Sequence, residues 1–336
     1  MYSNKKYLLI LLLQAVMLMT INCKKDSSPG SKHVSYNPTP HEIIIPAGFP
    51  YMIIPEDNPA TVEGIQLGRM LYYDSIIDKG NERACGQCHV QENSFTTEDN
   101  CLPHINLAWM NSYLWNGKVE GVLENIMLFE VEEFFETDLN KLNSDNGYAE
   151  LFKKAFNVDT ITSKEIAYAL AQFVRTFTSN NSKYDRFLKG ETTLSESEEK
   201  GRLLFFSEEG DCFHCHGTIL LTDNSFHNNG IDSVPSQGRA EITGNLNDIG
   251  KFKTPTLRNI EFTAPYMHDG RYSTLEEVVN FYSDGLIWSS TIDPMMKKAH
   301  QGGVHLTAEE KLDLISFLKT FSDTSFINNP DFSNPF

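Results

Sequence analysis

Residues Asp211-Cys-Phe-His-Cys-His-Gly217 (DCFHCHG) place two thiols three positions apart, with an imidazole directly after the second. An earlier stretch, Ala84-Cys-Gly-Gln-Cys-His-Val90, has the same spacing. The surroundings recur as well. Gln66-Leu-Gly-Arg-Met-Leu-Tyr-Tyr-Asp74 precedes the first motif and Glu199-Lys-Gly-Arg-Leu-Leu-Phe-Phe-Ser207 the second, sharing Gly-Arg-apolar-Leu-aromatic-aromatic. Both read as helices: Thr61 and Ser195 suit N-caps, and Glu198 completes a capping box with Ser195. Downstream, Gln172-Phe-Val-Arg-Thr-Phe177 and Ser316-Phe-Leu-Lys-Thr-Phe321 each close an amphipathic run, over 163–178 and 307–322, with apolar residues at helical spacing. The pattern predicts two units of one plan, residues 46–187 and 188–325, with a linker around Lys183–Thr193 and a C-terminal tail at 326–336. Alternating strand patterns are weak in both, so the expected class is all-α, mainly helical with long loops, the loops suiting chain wrapped around a cofactor.

Cys-x-x-Cys-His is the attachment pattern of c-type haem. Two thioethers at this spacing reach two vinyl carbons on one porphyrin edge, and the following histidine comes under the iron as proximal ligand. A zinc ribbon also uses CxxC, but its two halves would lie near each other, and these lie far apart in the chain. A thioredoxin-like pair would sit on a βαβ unit, which is missing from the pattern. The spacing therefore predicts two covalent haems, held by Cys85, Cys88 and His89, and by Cys212, Cys215 and His216. The ligand opposite each histidine decides the activity: a second strong ligand gives an electron carrier, an open position beside an acid gives peroxide chemistry.

Composition sets the wider bounds. The 336 residues are 40% hydrophobic, 22% charged and 11% aromatic, ordinary for globular chains with a generous aromatic share. A net charge of −17 disfavours nucleic acid and anionic membrane surfaces, and would steer in a partner with a basic face. Lys5 and Lys6 precede an apolar run, Tyr7–Met19, which leads to Thr20-Ile-Asn-Cys23. That is a signal peptide over 1–23, too short for a comfortable bilayer span, and it ends as a bacterial lipoprotein signal does. It predicts an exported chain in the periplasm or cell envelope, lipid-anchored at Cys23, although Thr20 and Asn22 depart from the usual signal residues. Residues 24–45 read as a tether. Of six cysteines, five lie beyond the leader; Cys101 stands outside both motifs, and an odd count is a poor disulfide framework.

Gly250-Lys-Phe-Lys-Thr-Pro-Thr-Leu-Arg-Asn-Ile260, continuing through Thr263-Ala-Pro-Tyr-Met-His-Asp-Gly-Arg271 to Glu277, resembles the bacterial dihaem cytochrome c peroxidase family, which includes the MauG branch. The likeness runs from about Gly48 to Ser322 and covers Asn224-Ser-Phe-His-Asn-Asn-Gly230. It implies a peroxidatic N-terminal haem and a C-terminal haem that takes electrons from a small cytochrome c or copper protein, with hydrogen peroxide reduced to water. Trp115, in Leu-Trp-Asn-Gly-Lys118, matches the family's inter-haem tryptophan, with Asn in place of Asp. Glu136 matches the distal glutamate, within an acidic run holding Glu130, Glu132 and Glu133. The resemblance further implies a calcium held by the Asn100 side chain and the Thr263 and Pro265 carbonyls, and His268 hydrogen-bonded to haem propionates. It is compatible with a homodimer.

The chain departs from the family at two places. The loop 90–100, where many members carry a removable distal histidine, is short and has none; His104, just beyond, is a candidate ligand or a neighbour of the calcium site. The methionine expected as sixth ligand of the second haem is replaced by Tyr282, as in MauG, with Met267, Met295 and Met296 as rivals. Three functions remain open: a peroxidase, a MauG-like enzyme oxidising a protein side chain, and a dihaem electron carrier.

Overall fold

A computed structural model describes residues 36–336; the predicted signal, Cys23 and most of the tether lie outside the described residues. Thirteen described helices carry the fold: α1 Val62–Tyr73, α2 Cys85–Cys88, α3 Leu123–Phe129, α4 Leu139–Ser144, α5 Asn146–Phe156, α6 Ser163–Val174, α7 Lys183–Leu188, α8 Glu196–Phe205, α9 Phe213–His216, α10 Ala240–Thr243, α11 Leu275–Asp284, α12 Ala308–Lys319 and α13 Thr324–Ile327. Among the described residues, sheet is confined to two antiparallel pairs of two-residue strands: β1 Ser112–Tyr113 with β2 Val119–Glu120, and β3 Phe226–His227 with β4 Phe252–Lys253. The mainly helical class is as expected. No helix among the described residues is long and apolar enough to cross a membrane.

The sequence repeat is a repeat of helix crossings. α1 packs on α6 and α8 on α12, each through the glycine of its Gly-Arg pair. A Cβ on Gly68 would lie 2.0 Å from the Ala169 carbonyl oxygen and 2.8 Å from Phe173 Cβ; on Gly201 it would lie 2.0 Å from the Asp313 oxygen and 2.8 Å from Phe317 Cβ. Only a residue without a side chain lets the two backbones approach this closely. The closing Phe-x-x-Thr-Phe segments repeat too. Phe173 and Phe177 meet edge to face at 5.0 Å or less, as do Phe317 and Phe321, with centroids at 4.9 and 5.0 Å. The Thr176 and Thr320 hydroxyls each donate to the phenylalanine carbonyl three residues back, at 2.6 Å. The caps at Thr61 and Ser195 form as expected, with Glu198 reaching back to Ser195.

Two segments differ from expectation. The predicted linker contains a helix, α7, because Ser182 caps it and Asp185 of its first turn is buried against Arg258 in a two-pronged ion pair, both contacts at 2.9 Å. The C-terminal residues are also tied down. Phe326 and Phe332 enter the apolar core built by α1, α3, α5 and α6, the Tyr73 hydroxyl donates to the Phe332 carbonyl, and Arg69 donates to the Pro330 and Ser333 carbonyls. The last turns of the chain thus strap the unit that holds the first CxxCH motif.

Candidate haem sites and the contact between them

Each CxxCH motif winds into a single helical turn, α2 or α9, and each histidine is oriented in the same way. The His89 amide donates to the Cys85 carbonyl at 2.8 Å, and the His216 amide to the Cys212 carbonyl at 3.1 Å. Nδ1–H of His89 donates to the Phe95 carbonyl at 2.8 Å, and Nδ1–H of His216 to that of Leu221 at 2.9 Å. A carbonyl on Nδ1 fixes the proton there and leaves Nε2 with a bare lone pair, which is the arrangement of a metal-ligating histidine. None of the four motif cysteines is tied up in a disulfide. The residues present therefore fit covalent haem at both motifs.

Beside His216 lies a cavity of about 230 Å³ with mostly apolar walls. Trp115, Lys253, His268, Met267, Met296 and Tyr282 open onto it; Met295 does not. Asn229 Nδ2 lies 3.2 Å from the Tyr282 hydroxyl and 3.6 Å from Met267 Sδ, so the tyrosine and one rival methionine converge on the same amide. Burial pushes the Tyr282 hydroxyl up to about 12. His268 stacks on Phe252 with ring centroids 3.6 Å apart, and burial lowers its pKa. His227 is clamped between Asp293 on Nδ1, at 2.7 Å, and Asp223 on Nε2, at 2.8 Å.

Trp115 ties the two halves together. Its indole N–H donates to the carbonyl of Asn100, in the loop after the first motif, at 3.0 Å. Its own carbonyl accepts from the Lys253 amide at 2.8 Å, and Trp115 lines the cavity beside His216. The residues expected to hold calcium gather at the same place. Asn100, Thr263 and Pro265 all border the cavity, and Asn100 and Pro265 both come within 3.5 Å of where a Cβ on Gly270 would stand. Asn100 Nδ2 donates to the Met267 carbonyl, which leaves its amide oxygen for a cation.

The first motif holds two surprises. Glu136 does not face it: its side chain is 61% exposed and its carboxylate pairs with Lys79 at 2.7 Å, so it stays ionised below the usual carboxylate range. The carboxyl that lies close to the motif is Glu130, partly buried, raised by burial and opposed by the charge of His89. The reason is a π-helical turn, Glu130–Phe134, at the end of α3. A π turn adds a residue to the helical phase and turns Glu130 and Glu136 to different surroundings. His104 is not opposite His89 either. Its ring stacks on the His89 ring, centroids 3.5 Å apart, and its Nδ1 meets the Tyr72 hydroxyl at 3.1 Å, which places it beside the proximal imidazole. Cys101, left over by the motifs, sits here too, its thiol donating to the Cys88 carbonyl at 3.0 Å and 3.7 Å from His89 Nδ1. Neither Glu130 nor Cys101 carries a spacing signal that would have marked it.

Two CxxCH turns with matched histidines, joined through a tryptophan, define a protein of the dihaem c type. The profile of the di-haem cytochrome c peroxidases matches residues 62–193. Methylamine utilization protein MauG of Methylophilus methylotrophus is 30% identical over 287 residues, covering 79% of this chain and 84% of its own. Cytochrome c551 peroxidase of Nitrosomonas europaea is 29% identical over 318 residues, covering 87% and 88%. A solved MauG-like protein associated with microbial copper homeostasis superposes with a TM-score of 0.79 at 32% identity, over 87% of this chain and 98% of that one. The chain belongs to the di-haem cytochrome c peroxidase family.

Proposed function

We propose that this protein is a dihaem peroxidase that reduces hydrogen peroxide to water with electrons from a small soluble cytochrome c or copper protein. Residues 46–187 and 188–325 act as two tandem haem domains, the first carrying out the peroxide chemistry and the second receiving electrons. The observation that supports this most is the Trp115 bridge, hydrogen-bonded to the loop behind one motif and lining the cavity of the other. When bound, the haems supply the electrons and the binding position for peroxide; the residues do the rest. His89 and His216 offer Nε2 as proximal ligands. Glu130 accepts the proton from the peroxide oxygen nearer the metal and returns it to the farther one, and with two electrons and two protons the O–O bond gives two waters. A carboxyl raised by burial suits that exchange better than one held ionised by Lys79. Tyr282 would hold the second haem together with His216, and Asn100, Thr263 and Pro265 would hold calcium. The net charge of −17 favours a donor with a basic face, and the leader-like N-terminal sequence supports a periplasmic or envelope location with a lipid anchor at Cys23.

A second reading, oxidation of a protein side chain, is favoured by Tyr282 at the cavity and by the MauG relative. Peroxide-dependent oxidation of a reduced small cytochrome separates the two, since rapid turnover belongs to the peroxidase alone. In the same assay Glu130→Gln should slow the reaction at least about a hundredfold, the usual contribution of a positioned acid–base group, while Glu136→Gln stays near wild type. The reverse order would return the proton role to Glu136.

A further inference from the structure

The wall of the cavity beside His216 includes a buried lysine, Lys253, with which no carboxylate forms an ion pair among the described residues. Lys253, on β4, is 6% exposed. Its ammonium reaches only neutral acceptors, Asn224 Oδ1 at 3.0 Å and Ser112 Oγ at 3.4 Å. An ammonium has three protons to place, and among the described residues no carboxylate forms an ion pair with it. The nearest acid in charge terms, Asp223, is committed to His227 and to the Ser225 amide. Burying a cation without an anion is costly enough that such sites are normally paired or neutralised. Burial pushes Lys253 down to about 8, which still leaves it mostly charged at neutrality. Its backbone is pinned at the cavity wall by the bond to Trp115 and by the pairing of Phe226 with Lys253.

We propose that Lys253 is the counter-ion of a haem propionate at the second site. This inference rests on the reading of Cys212–His216 as a haem site. The pair neutralises a buried negative charge next to the iron, and so sets how readily the second haem accepts an electron. No bond forms or breaks. Removing the ammonium leaves the propionate charge uncompensated, which favours ferric over ferrous haem. On reduction the orphaned carboxylate then takes up a proton, and the potential becomes pH-dependent near neutrality.

The test is a spectroscopic redox titration of the full-length holoprotein, comparing wild type with Lys253→Met and Lys253→Arg at several pH values, after covalent haem has been counted. The expected result for Lys253→Met is a roughly tenfold lower ferrous-to-ferric ratio of the second haem at fixed poise, about 59 mV for one electron, with a new pH slope. The first haem should not move, and Lys253→Arg should retain most of the wild-type potential. An unchanged second-haem potential in Lys253→Met, or an equal fall in Lys253→Arg, overturns the inference. If Lys253→Met loses the second haem, retention in Lys253→Arg supports the need for charge and loss in both overturns it. One covalent haem in the wild type would instead defeat the underlying reading.

Discussion

Gly201→Ala should destabilise the protein by closing the helix crossing that supports the second motif. The new methyl carbon would stand 2.0 Å from the Asp313 carbonyl oxygen and 2.6 Å from its carbon, both backbone atoms that cannot swing away. Restoring ordinary contact requires α8 and α12 to part by more than an ångström along a seam that also packs Phe317 and Phe205. Overpacking of this kind costs about 1–3 kcal/mol, and a clash with backbone belongs at the upper end. Alanine returns up to about 1 kcal/mol through its better helix propensity. The net loss is then about 2 kcal/mol, which for a chain this long lowers Tm by about 3 °C. Thermal unfolding of the holoprotein followed at the haem absorption measures it, with Glu196→Ala on the exposed face of the same helix as control. A Gly201→Ala variant as stable as wild type would mean that the two helices do not cross at this residue, and the repeat would lose its structural meaning.

Other consequences are open to measurement. Asp185→Asn leaves Arg258 buried without its partner and should cost about 3–5 kcal/mol by chemical denaturation; a loss under 1 kcal/mol would show that the pair is dispensable. Burial alone would raise the Asp185 carboxyl, but Arg258 outweighs it and holds the group low. Its stabilising share is therefore present above the unfolded carboxylate value of about 3.9 and disappears as pH falls through the lower folded value, a slope that Asp185→Asn should flatten. His227 runs the other way. Burial opposes its charge, yet Asp223 and Asp293 raise its pKa, so its contribution is complete below about 6.5 and is lost as pH rises through the folded value. Stability of wild type should fall across that window and that of His227→Gln should not; parallel curves would exclude the clamp. Tyr282→Phe should change the visible and EPR signature of the second haem while leaving haem content intact, and an unaltered spectrum would pass the ligand role to Met267 or Met296.

The parts of this structure that were legible in the sequence are those in which local spacing dictates local geometry. Two thiols and an imidazole in five residues can close only one kind of turn, and α2 and α9 both adopt it. Capping residues announced α1 and α8 because the side chain that satisfies the first-turn amides lies within three positions. The Gly-Arg repeat was visible as a helix signal, yet the role of its glycine was not, since the partner backbone is more than a hundred residues away. Pairing across distance also hid α7: a short polar stretch reads as a linker until Arg258 is brought against Asp185. The exposure of Glu136 and its pairing with Lys79 were not legible either. The π turn at Glu130–Phe134 carries no sequence mark, and a likeness by position does not show which carboxyl of an acidic run is buried. Lys253 carries no spacing signal of its own, and its burial at the cavity wall separates it from the more exposed Lys251.

The most direct test is the resting ferric holoprotein examined by EPR and then given hydrogen peroxide in the presence of reduced small cytochrome c. The account predicts two covalent haems, one high-spin and one low-spin, and peroxide-dependent oxidation of the cytochrome at two equivalents per peroxide. Two low-spin haems that leave peroxide and cytochrome unchanged, both as isolated and after half-reduction, would contradict it and make the protein an electron carrier.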